Sequence, residues 1–183
     1  MRPAIARIAV AAAFFAMVGG CASSRTLSGA VSDLGANAEL KAVLFADRHH
    51  DYSDVDLTLY DGRLMLTGTM RDEAGHKQLI EDAWKADGVK QVIDEILIAG
   101  KTSLGRGLDD TRIDQTIRAK LIADSAVTSS NYKMSVSRGV VYLLGVARDE
   151  KELDAALATA RGVHGVKTVV SHVVYQTLAD AAH

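Results

Sequence analysis

The chain has a single cysteine, Cys21, in 183 residues, so no disulfide can form within it. Long apolar runs are also missing. The longest, Ile8 to Val18, falls well short of the roughly 20 residues a membrane-spanning helix needs, which makes it a poor permanent transmembrane helix. Positive charge is scarce as well. Once Arg2 and Arg7 are set aside, 19 Lys and Arg face 23 Asp and Glu, a net of −4, without the clustered cations that phosphate contacts on nucleic acid require. No P-loop or dinucleotide glycine pattern is present, and no nucleophile elbow, so neither an enzyme nor a cofactor is expected.

The amino terminus reads differently from the rest. Arg2 and Arg7 form a short basic region, the apolar run comes next, and Val18-Gly19-Gly20-Cys21 closes it with small residues. That is the layout of a secretory signal, to be kept out of fold reasoning. It resembles a lipobox, which implies cleavage before Cys21 and acylation of Cys21. Two or more acyl chains, at about 0.8 kcal/mol per buried methylene, anchor stably where one is marginal. Ala22 stands where an aspartate usually marks inner-membrane retention, so the arrangement is similar to that of outer-membrane lipoproteins of Gram-negative bacteria. Residues 1–20 are expected to be signal and 21–36 a lipidated tether.

An internal repeat organises the remainder of the chain. Sliding the chain by 77 positions aligns residues 37–98 with 114–175 without a gap. Gly62 falls on Gly139, Gly68 on Gly145, Arg71-Asp72-Glu73 on Arg148-Asp149-Glu150, and Gly88-Val89-Lys90 on Gly165-Val166-Lys167. Two copies at so long a period imply tandem domains. The spacing predicts module 1 over 37–99, a glycine-rich linker over 100–108, module 2 over 109–176 and a tail over 177–183.

Each module reads α-β-β-α-β, an α+β fold with a three-stranded mixed sheet packed on two helices. The first helices open at Asn37, with Leu40, Val43 and Leu44 on one face, and at the capping-box-like Thr111-Arg112-Ile113-Asp114, with Ile113, Ile117 and Leu121. Alternating strands come next at 55–60 and 132–137, and Asp61-Gly62 and Arg138-Gly139 supply tight hairpins. Asp72 and Asp149 are expected to cap the second helices, with Leu79, Ile80, Ala83 and Trp84 facing inward in one and Leu153, Ala156, Leu157 and Ala160 in the other. The last strands are apolar on both faces, Val92 and Ile96 alternating with Ile93 and Leu97, and Val169 and Val173 with Val170 and Val174. One face is left over. The partner module, a linker or another protein is expected to cover it.

A strand ending Leu66-Thr67-Gly68, an acidic helix cap and the entry Gly88-Val89-Lys90-Gln91-Val92, repeated as Leu144-Gly145 and Gly165-Val166-Lys167-Thr168-Val169, resemble the BON family. The resemblance covers residues 37–175, and Ser129-Ser130-Asn131-Tyr132-Lys133 makes the second module the closer match. A lipobox leading into two such modules is similar to the dual-BON outer-membrane lipoproteins. That similarity implies a lipid-anchored protein facing the periplasm, which binds anionic phospholipid through module 2, gathers at division sites and supports outer-membrane integrity. One departure stands out: relatives place an aromatic residue near the start of the first helix of module 2, where Arg112 sits here.

Charge distribution offers a test independent of family. Residues 37–98 carry 7 basic and 13 acidic groups, net −6, whereas residues 109–175 carry 9 and 8, net +1. Only module 2 can approach an anionic surface. Arg112, Arg118 and Lys120 share one helix, with Lys101 and Arg106 before it, and together with Ile113 form the expected lipid-binding set. The bland alternative is a solvated helix face. His49-His50-Asp51, with Asp54 and Asp56 near by, lacks the fixed geometry of a metal site, so no metal is expected. His164 and His172 are expected at the surface and Trp84 in the core or between modules. The rival functional class is a holdase engaging envelope proteins through Ile93, Leu97 or Val174.

Overall fold

The computed structural model describes residues 49–99 and 104–176, with Ala38, Lys41 and Ala42 before them. The expected signal, Cys21, the tether, the tail and most of module 1's first helix, including Leu40, Val43 and Leu44, lie outside the described residues. Ala38, Lys41 and Ala42 are themselves helical. In module 1, β1 (Val55–Tyr60) and β2 (Arg63–Met70) are followed by α1 (Glu73–Lys85) and β3 (Gln91–Ile98). Module 2 comprises α2 (Leu104–Ala123), a 3-10 turn (Ser129–Asn131), β4 (Tyr132–Ser137), β5 (Val140–Ala147), α3 (Glu150–Arg161) and β6 (Thr168–Tyr175). Each module has its own mixed sheet with the middle strand antiparallel to the first and parallel to the third. This is the α+β architecture read from the sequence.

The shared punctuation has physical causes. Tyr60 pairs with Arg63 and Ser137 with Val140, leaving two-residue turns. Asp61 and Gly62 have φ of 51° and 75°, and Arg138 and Gly139 of 57° and 79°, the two positive values that a type I′ hairpin demands. Lys90 N–H donates to the Gly62 carbonyl at 2.7 Å and Lys167 N–H to that of Gly139 at 2.8 Å, so the Gly-Val-Lys segment ties each last strand to its hairpin. At Gly68 and Gly145 the backbone runs so close that an added Cβ would lie 2.0 Å from the carbonyl oxygen of Asp54 or Asn131. Only glycine fits there. Asp72 accepts from the N–H groups of Ala74 and Gly75 and Asp149 from that of Glu152, so both expected caps form.

Each module builds a core on one face of its sheet, against α1 in module 1 and against α2 and α3 in module 2. Leu57, Leu59, Leu66, Leu79, Ala83 and Ile96 fill the first, and Ile113, Ile117, Leu121, Met134, Leu143 and Ala156 the second. A third core lies between the modules. There the leftover sheet faces meet through Tyr60, Met65, Ile93, Tyr142 and Leu144, with Val170 packed alongside. Met65 and Tyr142 are repeat counterparts, as are Ile93 and Val170, so the modules meet much as subunits do around a two-fold axis. Counterparts Glu95 and His172 touch directly, Oε1 to Nε2 at 2.7 Å. Arg63 crosses the boundary to donate to the His172 carbonyl at 2.7 Å, and Ser135 Oγ donates to Asp56 Oδ2 at 2.8 Å. The partner module therefore covers the middle of each spare face. Leu97 and Val174, toward the far ends, remain exposed.

Four sequence expectations change. α2 begins at Leu104, inside the stretch read as a linker, and Thr111 lies within the helix, donating its hydroxyl to the Gly107 carbonyl at 3.0 Å, so it caps nothing. Trp84 is 54% exposed: the inward stripe of α1 is carried by Leu79 and Ala83, and Trp84 turns to solvent. His172 is held half-buried at the module boundary by Glu95 and is not a surface group.

Candidate functional site

Helix α2 is the element on which the expected lipid-binding residues sit. Its 20 residues span about 30 Å. Ile113, Ile117 and Leu121 recur every four residues and lock one stripe into the core of module 2. At the amino-terminal end, the two carboxylate oxygens of Asp110 accept the N–H groups of Arg138 and Gly139, each at 2.7 Å, fastening the helix to the β4–β5 turn. At the other end a buried carboxylate fixes the chain beyond the helix. Glu152 accepts from Thr128 N–H at 2.7 Å, Arg148 N–H at 3.0 Å and Arg148 Nε at 2.6 Å, while Arg148 Nη2 donates to the Ala126 carbonyl at 3.2 Å. Burial alone would raise the pKa of Glu152. The hydrogen bonds from Arg148 and Thr128 outweigh it and hold the carboxyl below its ordinary value.

With one stripe buried, the helical period dictates what faces out. At about 100° per residue, Leu108, Gln115, Ala119 and Ile122 line the opposite side, and all four are exposed. Leu108 is 73% and Ile122 74% exposed. They stand about 21 Å apart along the ridge, 14 residues at 1.5 Å each. Arg112 and Lys120 flank the ridge on one side and Arg118 on the other.

The four expected residues are thus not equivalent. Arg112 and Lys120 are exposed and share a cleft with the β4–β5 turn. Arg118 is occupied: its guanidinium meets Asp114 at 2.7 and 3.0 Å and donates to the Met134 carbonyl at 3.0 Å. Ile113 is 5% exposed and belongs to the core stripe, so the structure does not offer it to a lipid. Leu108 and Ile122 escaped sequence reading for separate reasons. Leu108 fell in the supposed linker, and Ile122 sits beside the core residue Leu121. Their 14-residue spacing, close to four full turns, was the available signal.

The histidine-aspartate segment has another use. His50 Nδ1 lies 2.5 Å from Asp72 Oδ2, beside the α1 cap. Hydrogen bonds from Ala74 N–H and from His50 hold Asp72 below the usual carboxylate range. Among the described residues no three His, Cys, Asp or Glu side chains converge as metal ligands.

The duplicated fold and its punctuation find their match among known proteins. The sequence profile of the BON domain fits residues 32–100 and again 109–177. The chain belongs to the BON-domain family. Among its relatives, an uncharacterized protein from the gshII 5′ region of Anaplasma centrale is 32% identical over 127 residues, 69% of this chain and 84% of that protein. The osmotically-inducible protein Y of Escherichia coli is 28% identical over 141 residues, covering 76% and 70%. The outer membrane lipoprotein DolP of Haemophilus influenzae is 26% identical over 121 residues, 66% of this chain and 62% of its own length.

Proposed function

We propose that this dual-BON protein is a non-enzymatic binding protein of the cell envelope. In this reading Cys21 carries the lipid anchor, the modules face the periplasm from the outer membrane, and module 2 lays α2 on anionic phospholipid to support membrane integrity. The carrying observation is the outward ridge of α2, where Leu108 and Ile122 are exposed between flanking cations. An interfacial helix binds in this way, with apolar side chains seated at the acyl boundary and cations among the headgroups. Each cation near such a surface contributes about 1 kcal/mol, falling away within a Debye length. The net charges of −6 and +1 in the two repeats favour contact through module 2. Similarity to a relative named as an outer membrane lipoprotein supports the placement.

The test is co-sedimentation of the chain from Ala22 onward with neutral and anionic vesicles. Binding to anionic vesicles alone, weakened by salt and by Arg112→Glu with Lys120→Glu, is expected. Equal failure on both vesicle types sinks the reading. A second reading, a holdase for envelope proteins, is favoured by the exposed Leu97, Ile98, Val174 and Tyr175 at the ends of β3 and β6. Ile93 is buried between the modules and drops out of that surface. The holdase reading expects Leu97→Ser and Val174→Ser to abolish suppression of client aggregation, with salt having no effect.

A further inference from the structure

We propose that module 2 carries a phosphate-binding cleft between α2, the β4–β5 turn and the segment entering β6. The cavity measures about 540 Å³, and Arg112, Lys120, Arg138, His164 and Lys167 reach it from these three elements. Two carboxylates also line it. Asp110 has both oxygens engaged by the turn N–H groups, which leaves Asp109 as its other acidic group. Lys167 Nζ is fixed by donating to the Arg138 carbonyl at 2.8 Å. Among the described residues, Arg112, Lys120 and Arg138 enter no ion pair with a carboxylate, in contrast to Arg118. Cations from separate elements gathered around one concavity, where Arg112, Lys120, Arg138 and Lys167 outnumber the two carboxylates, suit the several oxygens of a phosphate group.

The repeat supplies an independent argument. At the same fold positions module 1 has Asp61 for Arg138 and Asp87 for His164, and in register Val43 for Lys120. Lys90 and Lys167, whose N–H groups tie the last strands to the hairpins, stay the same. Charge therefore changes around the cleft while the scaffold does not. Arg138 sits at φ 57°, a conformation better suited to Gly, Asn or Asp, so the turn itself gives no reason for an arginine. The ligand is a phosphate mono- or diester. Carried on a headgroup it deepens the membrane-binding function proposed for α2 and rests on it; carried on a soluble small molecule it stands apart from that function.

The experiment is an amide NMR titration of the chain from Ala22 onward, both modules retained, at constant ionic strength. One arm uses inorganic phosphate, the other dihexanoyl phosphatidylglycerol below its micellar concentration, with vesicle co-sedimentation run in parallel. Arg138→Asp places module 1's own residue in the turn, and Arg138→Gly removes the cation without adding a charge. Shifts at Gly139, Gly165 and Lys167, with affinity lowered about fivefold by Arg138→Asp and less by Arg138→Gly, support the cleft. A response to phosphate alone assigns a soluble ligand, and a response to the short lipid alone assigns a headgroup. Silence of these amides to both probes, or shifts that neither variant weakens, overturns the proposal. Phosphate shifts without vesicle binding keep the cleft and defeat the membrane reading; vesicle binding with silent cleft amides does the reverse.

Discussion

At Gly68 of module 1 and Gly145 of module 2 the backbone passes a carbonyl so closely that a methyl group has no room, and both hairpins turn through the same pair of positive φ angles. Elsewhere the copies part. Module 1 has Gly75 where module 2 buries Glu152, Glu95 where module 2 has His172, and Asp61 where module 2 has Arg138. The glycines fixed by close backbone approach are the same in both modules, while the charged side chains, buried at Glu152, at the boundary at His172 and in the turn at Arg138, have diverged. The lesson is that one scaffold carries two charge patterns, net −6 over residues 37–98 and net +1 over residues 109–175.

The comparison can be broken most forcefully at the shared glycines. Gly68→Ala and Gly145→Ala should each destabilise by more than about 4 kcal/mol, seen as a large fall in urea midpoint, because a Cβ must displace a backbone carbonyl. A mild effect in either module would show that the two close approaches are not equivalent.

The module boundary comes next. Leu144 is fully buried between the sheets, and Leu144→Ala should cost about 2–5 kcal/mol. It should also split a single unfolding transition into two, read by calorimetry. One undivided transition with unchanged midpoint would contradict the intermodule core.

Glu152 sharpens the contrast, since module 1 has no counterpart. Glu152→Gln should cost about 1–3 kcal/mol at neutral pH, because the buried bonds to Arg148 and Thr128 lose their charge. The folded-state pKa is depressed, so this contribution is complete above the ordinary value of 4.5 and fades as pH falls through the lower folded value. Urea midpoints of wild type and variant should therefore converge at acid pH; a constant gap would mean the charge is not responsible.

The smallest effect is at the turns. Arg138→Asn should stabilise by about 0.5–1 kcal/mol by relieving the left-handed conformation, and Asp61→Asn by less, since aspartate tolerates it better. Thermal midpoints decide this, and equal shifts would remove the claim that arginine is held there against local preference.

Much of this fold was legible in the sequence because its constraints are local. Asp-Gly and Arg-Gly dictate the turns, Asp72 and Asp149 cap helices through their own side chains, and strand alternation sorts core from surface. What lay between the modules was not legible in that way: the two apolar faces of β3 and β6 showed that something must cover them, while the meeting of Met65 with Tyr142 depends on how two whole sheets orient. The site was half visible. Arg112 and Lys120 could be read as exposed cations, but Arg118 is occupied by a helical neighbour and Ile113 by the core. Leu108 required knowing that the helix begins before its apparent cap.

The central claim is that the outward ridge of α2, and not module 1, meets the membrane. The chain has one tryptophan, the exposed Trp84, which in the wild type reports on module 1. The decisive measurement is tryptophan quenching by bromine-labelled anionic vesicles, comparing the wild-type chain from Ala22 onward with Leu108→Trp in a Trp84→Phe background. A blue shift and strong quenching are predicted for the residue-108 probe, with little change for Trp84. Quenching of Trp84 with a silent probe at 108 would contradict the claim.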